Sequence, residues 1–335
     1  MAKFGMGSVG YKPRLNEWLG KLEGFLGLPF IAGKWYFVDP TSGSSGNSGL
    51  SPTEAFASLS TAYTACTSGA GDGICLISRG TTSAGCTSYL TAALDWTKWG
   101  ITVVGISAPT KFSQRSRVST AAANLAYLID VQGSNNIFKN VAFYNSGTTG
   151  AGGVLVSGDR NYFENVHFVG GNGMTTPTVN DYSLKLTGAE ENTFVGCVIG
   201  TDTFDKSDIA GAQLILDRDA AFSGCARNRF IGCEFLVFTT AGTTMGLIKL
   251  NATGDSITRT HIFENCMFNS YRDGNVTAEV TVVIGTAPNN GFIIFKDCVR
   301  HGFVDWAAVA MTARVYSASK ANAEASGITI AANPS

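Results

Sequence analysis

Between residues 127 and 300 the chain rewrites one pattern of hydrophobic and polar positions. It opens as Asn136-Ile-Phe-Lys-Asn-Val-Ala-Phe143 and returns as Asn161-Tyr-Phe-Glu-Asn-Val-His-Phe168, Asn192-Thr-Phe-Val-Gly-Cys-Val-Ile199 and Asn228-Arg-Phe-Ile-Gly-Cys-Glu-Phe235. His261-Ile-Phe-Glu-Asn-Cys-Met-Phe268 follows, and Phe292-Ile-Ile-Phe-Lys-Asp-Cys-Val299 overlaps the pattern with its phenylalanine at 295. The anchors Phe138, Phe163, Phe194, Phe230, Phe263 and Phe295 recur at intervals of 25 to 36 residues, a period that belongs to solenoids. Apolar residues alternate with period two inside each unit, which predicts strands. A short apolar strand precedes each unit: Tyr127–Val131, Val154–Val156, Leu184–Leu186, Leu214–Leu216, Leu247–Leu250 and Val282–Ile284. Three short strands per repeat, with no long helical period between them, predict an all-β, single-stranded parallel β-helix.

The second residue after each anchor is Asn140, Asn165, Gly196, Gly232, Asn265 or Asp297. A sharp corner between strands requires a left-handed backbone, which glycine adopts freely and Asn or Asp tolerate best. Stacked corner asparagines can also hydrogen-bond along the axis. The next residue is Val141, Val166, Cys197, Cys233, Cys266 or Cys298, and its period-two partner is Phe143, Phe168, Ile199, Phe235, Phe268 or Arg300. Both positions are predicted to point into the coil. Arg300 breaks that series, which predicts a fraying last turn.

The flanks read differently. Residues 1–33 lie outside the repeat, and Leu15, Trp18, Leu19, Leu22, Phe25 and Leu26 form one apolar stripe at helical spacing. Such a stripe either attaches the chain to a partner or folds back to plug the solenoid. In residues 34–70, Lys34–Val38 reads as a strand. Ser51-Pro-Thr-Glu54 reads as the start of a capping helix, with Ala55, Phe56, Leu59, Ala62, Tyr63 and Cys66 on its buried face. Residues 71–306 are the β-helix, and residues 307–335 a terminal cap or tail.

Composition narrows the class. Of 335 residues 44% are hydrophobic and 15% charged, with a formal net charge of −1. The absence of a basic run argues against nucleic acid, and no stretch approaches a membrane span or the apolar core of a signal peptide. The chain is therefore expected to be made in, and at first to remain in, a cytoplasm. Four of eight cysteines occupy one repeat position, where valine stands in earlier rungs. They read as stacked reduced thiols rather than disulfides. Cys66, Cys75, Cys86 and Cys225 fall outside that column. No Cys-x-x-Cys pair or Cys/His cluster points to a metal.

The run Trp35-Tyr-Phe-Val-Asp-Pro40, then Gly46-Asn-Ser-Gly-Leu-Ser-Pro-Thr-Glu-Ala-Phe56, then Gly71-Asp-Gly-Ile-Cys-Leu-Ile77 resembles the opening of right-handed, pectate-lyase-like parallel β-helix proteins. It is most similar to those that tailed bacteriophages carry as virion components. The likeness covers roughly residues 34–300 and implies right-handedness, a homotrimer and a place in a virion. The same fold serves tailspike depolymerases, so fold alone assigns no function.

Candidate chemistry is sparse. Glycan cleavage needs two carboxylates on neighbouring rungs, or a base with a charge-stabilising cation. The outward middle position of the third strand reads Ala142, His167, Val198, Glu234, Met267, Val299, and the first corner residue reads Lys139, Glu164, Val195, Ile231, Glu264, Lys296. Neither series pairs two acids on adjacent rungs. Asp202, Asp205 and Asp208, with Asp217 and Asp219, are expected as solvated loop acids. His167 is expected to project outward, His261 to begin a strand and His301 to lie at the frayed end. None of the three has a visible nucleophile partner. The paired aspartates and basic catalytic segment of polygalacturonases and pectate lyases are missing, so no catalytic residue, cofactor or metal is expected.

Two functions follow. One is a non-enzymatic structural component of a phage particle, a capsid decoration protein contacting the major capsid or a tail protein. The other is a tailspike-like protein that binds or cleaves host surface polysaccharide. Val195, Val198 and Ile231 are expected to face outward as an apolar patch rimmed by Glu164, Glu234 and Glu264. It is either a trimer contact or a surface covered by long inserts.

Overall fold

A computed structural model describes residues 31–79, 84–108, 110–112, 116–121, 125–147, 152–170, 181–205, 211–221, 223–239, 246–251, 255–272, 281–303, 305–308, 314–320 and 328–332. Its strands form three sheets, here A, B and C, of 11, 8 and 8 strands. One repeat passes once through each. Val154–Val156 lies in sheet C, Tyr162–Glu164 in sheet A and His167–Val169 in sheet B. Each strand pairs in parallel with its counterparts one repeat before and after, so Phe163 sits between Phe138 and Phe194. This is the predicted all-β parallel solenoid with very little helix. The A-to-B corner keeps the same two-residue length through the six repeats, while the B-to-C and C-to-A connections vary.

Stacking explains why these sequences wind. The rings of Phe138, Phe163, Phe194, Phe230 and Phe263 follow one another at 5.1, 4.7, 4.6 and 4.6 Å, with interplanar angles of 6° or less. A second inward column holds Phe143, Phe168, Ile199, Phe235 and Phe268, all buried. Ring contacts at about 4.5–7 Å add to the burial of each large side chain. Beside them Val141, Val166, Cys197, Cys233, Cys266 and Cys298 are buried as expected, and all eight cysteines are free thiols. The four stacked thiols also act as donors. Cys197, Cys233, Cys266 and Cys298 point Sγ at the carbonyls of Phe163, Phe194, Phe230 and Phe263, at 3.2–3.5 Å.

The corner chemistry holds at all six positions. Asn140, Asn165, Asn265 and Asp297 have φ of 50–56°, and Gly196 and Gly232 have 58° and 61°. The Asn165 side chain donates to that of Asn140 at 3.0 Å. A stronger column stands at the other end of each sheet A strand, on the asparagines that open the repeat. The Oδ1 atoms of Asn136, Asn161, Asn192 and Asn228 accept the backbone N–H of Ile101, Asn136, Asn161 and Asn192, at 2.8–3.0 Å. All four side chains are buried. Each asparagine thus satisfies a strand-entry amide one repeat earlier, which would otherwise be an orphan in the core.

Both ends are closed. At the first end the capping segment is two elements, not one. Pro52–Glu54 is a single 3-10 turn capped by Ser51, and the α-helix α1 spans Leu59–Ala65 with Ser58 as its cap. The break arises because Phe56 gives its backbone N–H to Phe37 and its carbonyl to Asp39 N–H, extending the first strand. Glu54 does not close a capping box through its side chain, which accepts from Ser48 instead. The predicted buried face of Ala55, Phe56, Leu59, Ala62, Tyr63 and Cys66 is buried. Lys98 Nζ ends α1, donating to the carbonyls of Tyr63, Thr64 and Cys66, a favourable place for a cation. At the far end Arg300 does not leave a frayed turn. Trp306 fills the gap, stacking on Phe295 at 4.6 Å and meeting Phe268 edge-on, with the Arg300 guanidinium over its ring. The stretch 307–335 supplies strands Val315–Lys320 and Ile328–Ala332, an antiparallel pair that prolongs sheet A.

Asn192→Ala is expected to lower stability by about 3 kcal/mol, through loss of the acceptor for Asn161 N–H and of its own buried bonds. A shifted urea midpoint with unchanged slope checks it. A Cβ at Gly196 or Gly232 would meet nothing within 4 Å. Both glycines have left-handed φ, so Gly196→Ala with Gly232→Ala is expected to lower the same midpoint by about 1 kcal/mol per site through backbone strain alone, and the corresponding Asn pair by less.

Candidate functional site

The sheet C exterior carries the adjacent-rung carboxylates that the sequence series did not reveal. Asp95 and Asp130 are register partners on neighbouring strands, flanked by inward Leu94–Trp96 and Ile129–Val131. Adjacent strands lie ~4.8 Å apart, so the two side chains occupy neighbouring rungs of one face. Asp130 is buried, with Ser157 Oγ donating to Oδ1 at 3.0 Å and Gln132 Nε2 to Oδ2 at 2.9 Å. Burial raises its pKa above the usual carboxylate value; its two hydrogen bonds oppose the shift and the Asp95 charge adds to it. Asp95 is exposed and accepts from Tyr127 Oη at 2.7 Å, a bond that pushes the phenol up to about 12. A buried carboxyl with a raised pKa beside one open to solvent places two unlike acids on adjacent rungs, a pairing of the kind general acid–base chemistry uses. Their signal lay in residues 94–96, a short polar-centred strand outside the repeats.

The same face then changes character. Leu155 follows Asp130, and Lys185 follows Leu155. Lys185 Nζ sits 2.9 Å from Asp217, which also accepts from Asn251. The acids Asp217 and Asp219 are thus held within the protein, Asp219 by Ser223 N–H. Asp202 is exposed on its strand. Asp208 and the Asp205 side chain lie outside the described residues. Among the described residues no group of three or more His, Cys, Asp and Glu is placed to hold a metal.

The predicted apolar patch is only partly assembled. Val195 and Ile231 are register neighbours on the exterior of sheet A and half-buried, with Glu164 and Glu264 beyond them. Val198 is not with them. It begins a sheet B strand and is 0% exposed, because the outward side of sheet B is covered over its early rungs. Lys111, from the connection that follows the 102–106 strand, reaches Glu234 at 2.5 Å. Ala142, His167 and Val198, on the same outward column, are all buried. Cover by a connecting segment thus explains Val198. The stripe Leu15, Trp18, Leu19, Leu22, Phe25 and Leu26 lies outside the described residues.

Two of the three histidines have structural roles. His167 does face outward from the coil but is buried, its Nε2 2.8 Å from the Gly200 carbonyl, and burial lowers its pKa. His261 takes the place of asparagine in the strand-entry column, with Nε2 3.1 Å from the Cys225 carbonyl. Burial lowers its pKa to about 4. His301 is exposed. Among the described residues no helix is long and apolar enough to cross a membrane.

No family model matches the chain, and no curated protein matches it either. Solved structures share its fold. A pectate lyase, Pel9A, is 19% identical with a TM-score of 0.54 over 80% of this chain and 63% of the lyase. A pectin methylesterase in complex with a hexasaccharide is 12% identical with a TM-score of 0.50, over 83% of this chain and 82% of that one. A protein of Geobacillus virus E2, ORF18, is 11% identical with a TM-score of 0.44, over 94% and 65% of the two chains. The likeness to the pectate lyase and the pectin methylesterase establishes the right-handed, pectate-lyase-like parallel β-helix fold. The chain spans less than two thirds of the lyase's length.

Because His261 is held neutral in the fold, the unfolded chain binds its proton first on acidification. Its contribution is complete above the unfolded pKa of 6.5 and is lost as pH falls toward about 4, a change of up to about 3 kcal/mol. His261→Asn is expected to flatten that part of the stability–pH curve, measured by urea denaturation at successive pH values. An unaltered curve would assign the acid sensitivity to other groups.

Proposed function

We propose that the chain is a non-enzymatic structural component of a tailed-bacteriophage particle. In this reading it is a head-associated decoration protein, assembled in the host cytoplasm and acting as a homotrimer. The observation that carries it is the opening run that resembles phage virion β-helix proteins. That run folds as one closed unit. Trp35–Val38 starts sheet A, Phe56 pairs back onto it, and Leu59, Ala62 and Tyr63 of α1 join the core. The unit seals one end of the rod, and Ile31 packs beside it, which suits an attachment segment at that end. The stripe Leu15, Trp18, Leu19, Leu22, Phe25 and Leu26 is proposed to fasten the rod to a major capsid or tail protein. Near-zero net charge and the absence of a basic run support a protein partner over nucleic acid or an anionic membrane.

A second reading, a tailspike-like protein that binds or cleaves host surface polysaccharide, is favoured by Asp95 and Asp130. It ranks lower because apolar Leu155 stands between the acids and Lys185, whose ammonium is held by Asp217. The acid pair therefore has no adjacent uncommitted cation among the described residues of its outward column.

Two measurements separate the readings. Leu19→Asp with Leu22→Asp is expected to remove the protein from purified particles while leaving it folded; normal incorporation would end the attachment proposal. Incubated with host capsule or lipopolysaccharide, the purified chain is expected to leave polymer length unchanged. Shortening that disappears in Asp130→Asn would replace the structural reading with the enzymatic one.

A further inference from the structure

Buried polar atoms without a hydrogen-bond partner gather at the far end of the coil. Among the described residues eight side-chain atoms are in that position, and three of them, Arg300 Nη1, Ser317 Oγ and Ser270 Oγ, belong to inward positions of the last rungs. The columns explain the placement. Arg300 stands in register over Phe268, and Ser317 over Phe295. Ser317 therefore puts a hydroxyl where the anchor column elsewhere puts a ring. Trp306 uses the space this leaves by stacking on Phe295 at 4.6 Å. The Arg300 guanidinium lies 5.6 Å from the centre of the same indole. Cation and hydroxyl thus meet at one ring. Ser270, two residues after Phe268 and on the same side of its strand, lies beside Gly302 of the Arg300 rung, where a Cβ would stand 2.4 Å from the Ser270 carbonyl oxygen. All three groups offer donors: a guanidinium has no acceptor, and each hydroxyl has a proton to give. The carboxylate of Asp305, on the neighbouring sheet C strand, comes no nearer to Nη1 than 3.9 Å, beyond hydrogen-bond length. Burial holds the Arg300 pKa below its usual value, and the Asp305 charge offsets only part of that.

We infer that the last rungs of the coil hold a binding site for a small monovalent anion of chloride size, with Arg300 Nη1 and Ser317 Oγ as its donors beside Trp306 and Ser270 Oγ on the rung below. Charge and geometry select the ligand. A cation buried without a full counter-charge is strongly unfavourable, and water satisfies hydrogen bonds without supplying that charge. A carboxylate is taken by arginine through two nitrogens at once, whereas here a single buried guanidinium nitrogen faces the hydroxyls. Donors arriving from separate strands suit a spherical ion. The indole offsets part of the charge through its ring face, which holds the guanidinium in place for the ion. An entry path exists, because Gly302 is exposed and the Arg300 side chain retains 20% exposure. The site lies at the end opposite α1, so its occupant serves the closure of the rod. The inference is independent of the particle and of the polysaccharide reading.

The test is urea denaturation of the full-length chain while sodium chloride replaces sodium gluconate at constant ionic strength. Above half-filling of the site, the folding equilibrium constant is expected to rise about tenfold for each tenfold increase in chloride, as it does for a ligand bound only by the folded state. Arg300→Met is expected to fold and to lose this dependence. Crystals grown in sodium bromide are expected to show an anomalous peak in contact with Arg300 Nη1. A native chain indifferent to chloride would overturn the assignment, as would an Arg300→Met chain that keeps the dependence or an ordered water where the bromide is expected. A bromide peak without any chloride dependence of folding would mark an adventitious ion only, and would overturn it equally. Should Arg300→Met fail to fold, Ser317→Ala takes its place. It is expected to raise the chloride concentration at half-filling about tenfold, as loss of one hydrogen bond to a charged group does, and an unchanged value would count against the site.

Discussion

The buried asparagine column is the constraint on which the rest of the rod depends. A parallel strand pair tolerates register slips unless something other than the ladder fixes it, because one residue of slip turns every side chain to the opposite face. Asn136, Asn161, Asn192 and Asn228 remove that freedom at the entry of four successive sheet A strands. Each must sit where its Oδ1 meets one backbone amide of the preceding repeat. With that register set, the phenylalanine two residues later can only land on the phenylalanine below it. The near-parallel rings at 4.6–5.1 Å are the consequence. Hydrophobic burial supplies the larger energy and the amide column supplies the uniqueness.

The corner two residues further on completes the unit. Its left-handed residue and the buried Val or Cys that follows have the same spacing in every repeat, while the other two connections vary in length. Variation is tolerated there because loop closure grows only slowly with length. A sharp corner with a fixed dihedral pattern has no such latitude. This asymmetry explains the uneven period of the sequence. The invariant part runs from the strand-entry asparagine through sheet A to sheet B.

Most of the architecture was legible because it is written in inward positions. The anchors, the Val/Cys column and the corner residues each follow from burial or from a left-handed backbone, and both leave a mark in residue type. What was missed lies where residue type is weakly constrained. Strands Thr87–Leu90 and Arg117–Thr120 are largely polar and carry no apolar alternation, so the first turns were incomplete in the sequence. With them went Asp95, whose register to Asp130 becomes visible only when its strand is placed. The asparagines opening each repeat were visible, but their role was not. A side chain accepting from the neighbouring repeat leaves no local trace, unlike a turn residue. Val198 failed for the opposite reason. Its outward direction was right, but cover by a segment more than eighty residues earlier in sequence cannot be read from alternation.

The outward columns therefore carry the information that distinguishes this rod from others of its fold. Inward stacking is satisfied by any sequence with the same column chemistry, so the fold constrains function weakly. Outward, the three sheets have diverged. Sheet A is laced by ion pairs along the axis, which contribute little individually in exposed positions but keep that face hydrated. Sheet C concentrates its unusual chemistry at Asp95 and Asp130 and neutralises Lys185 with Asp217 one rung beyond it. On sheet B the outward residues Ala142, His167 and Val198 are buried, whereas Tyr89 on its first strand and Met267, Tyr271 and Val299 on its last two are exposed. Because the inward columns are alike from repeat to repeat, a substitution on an outward position changes what the rod presents without changing how it winds.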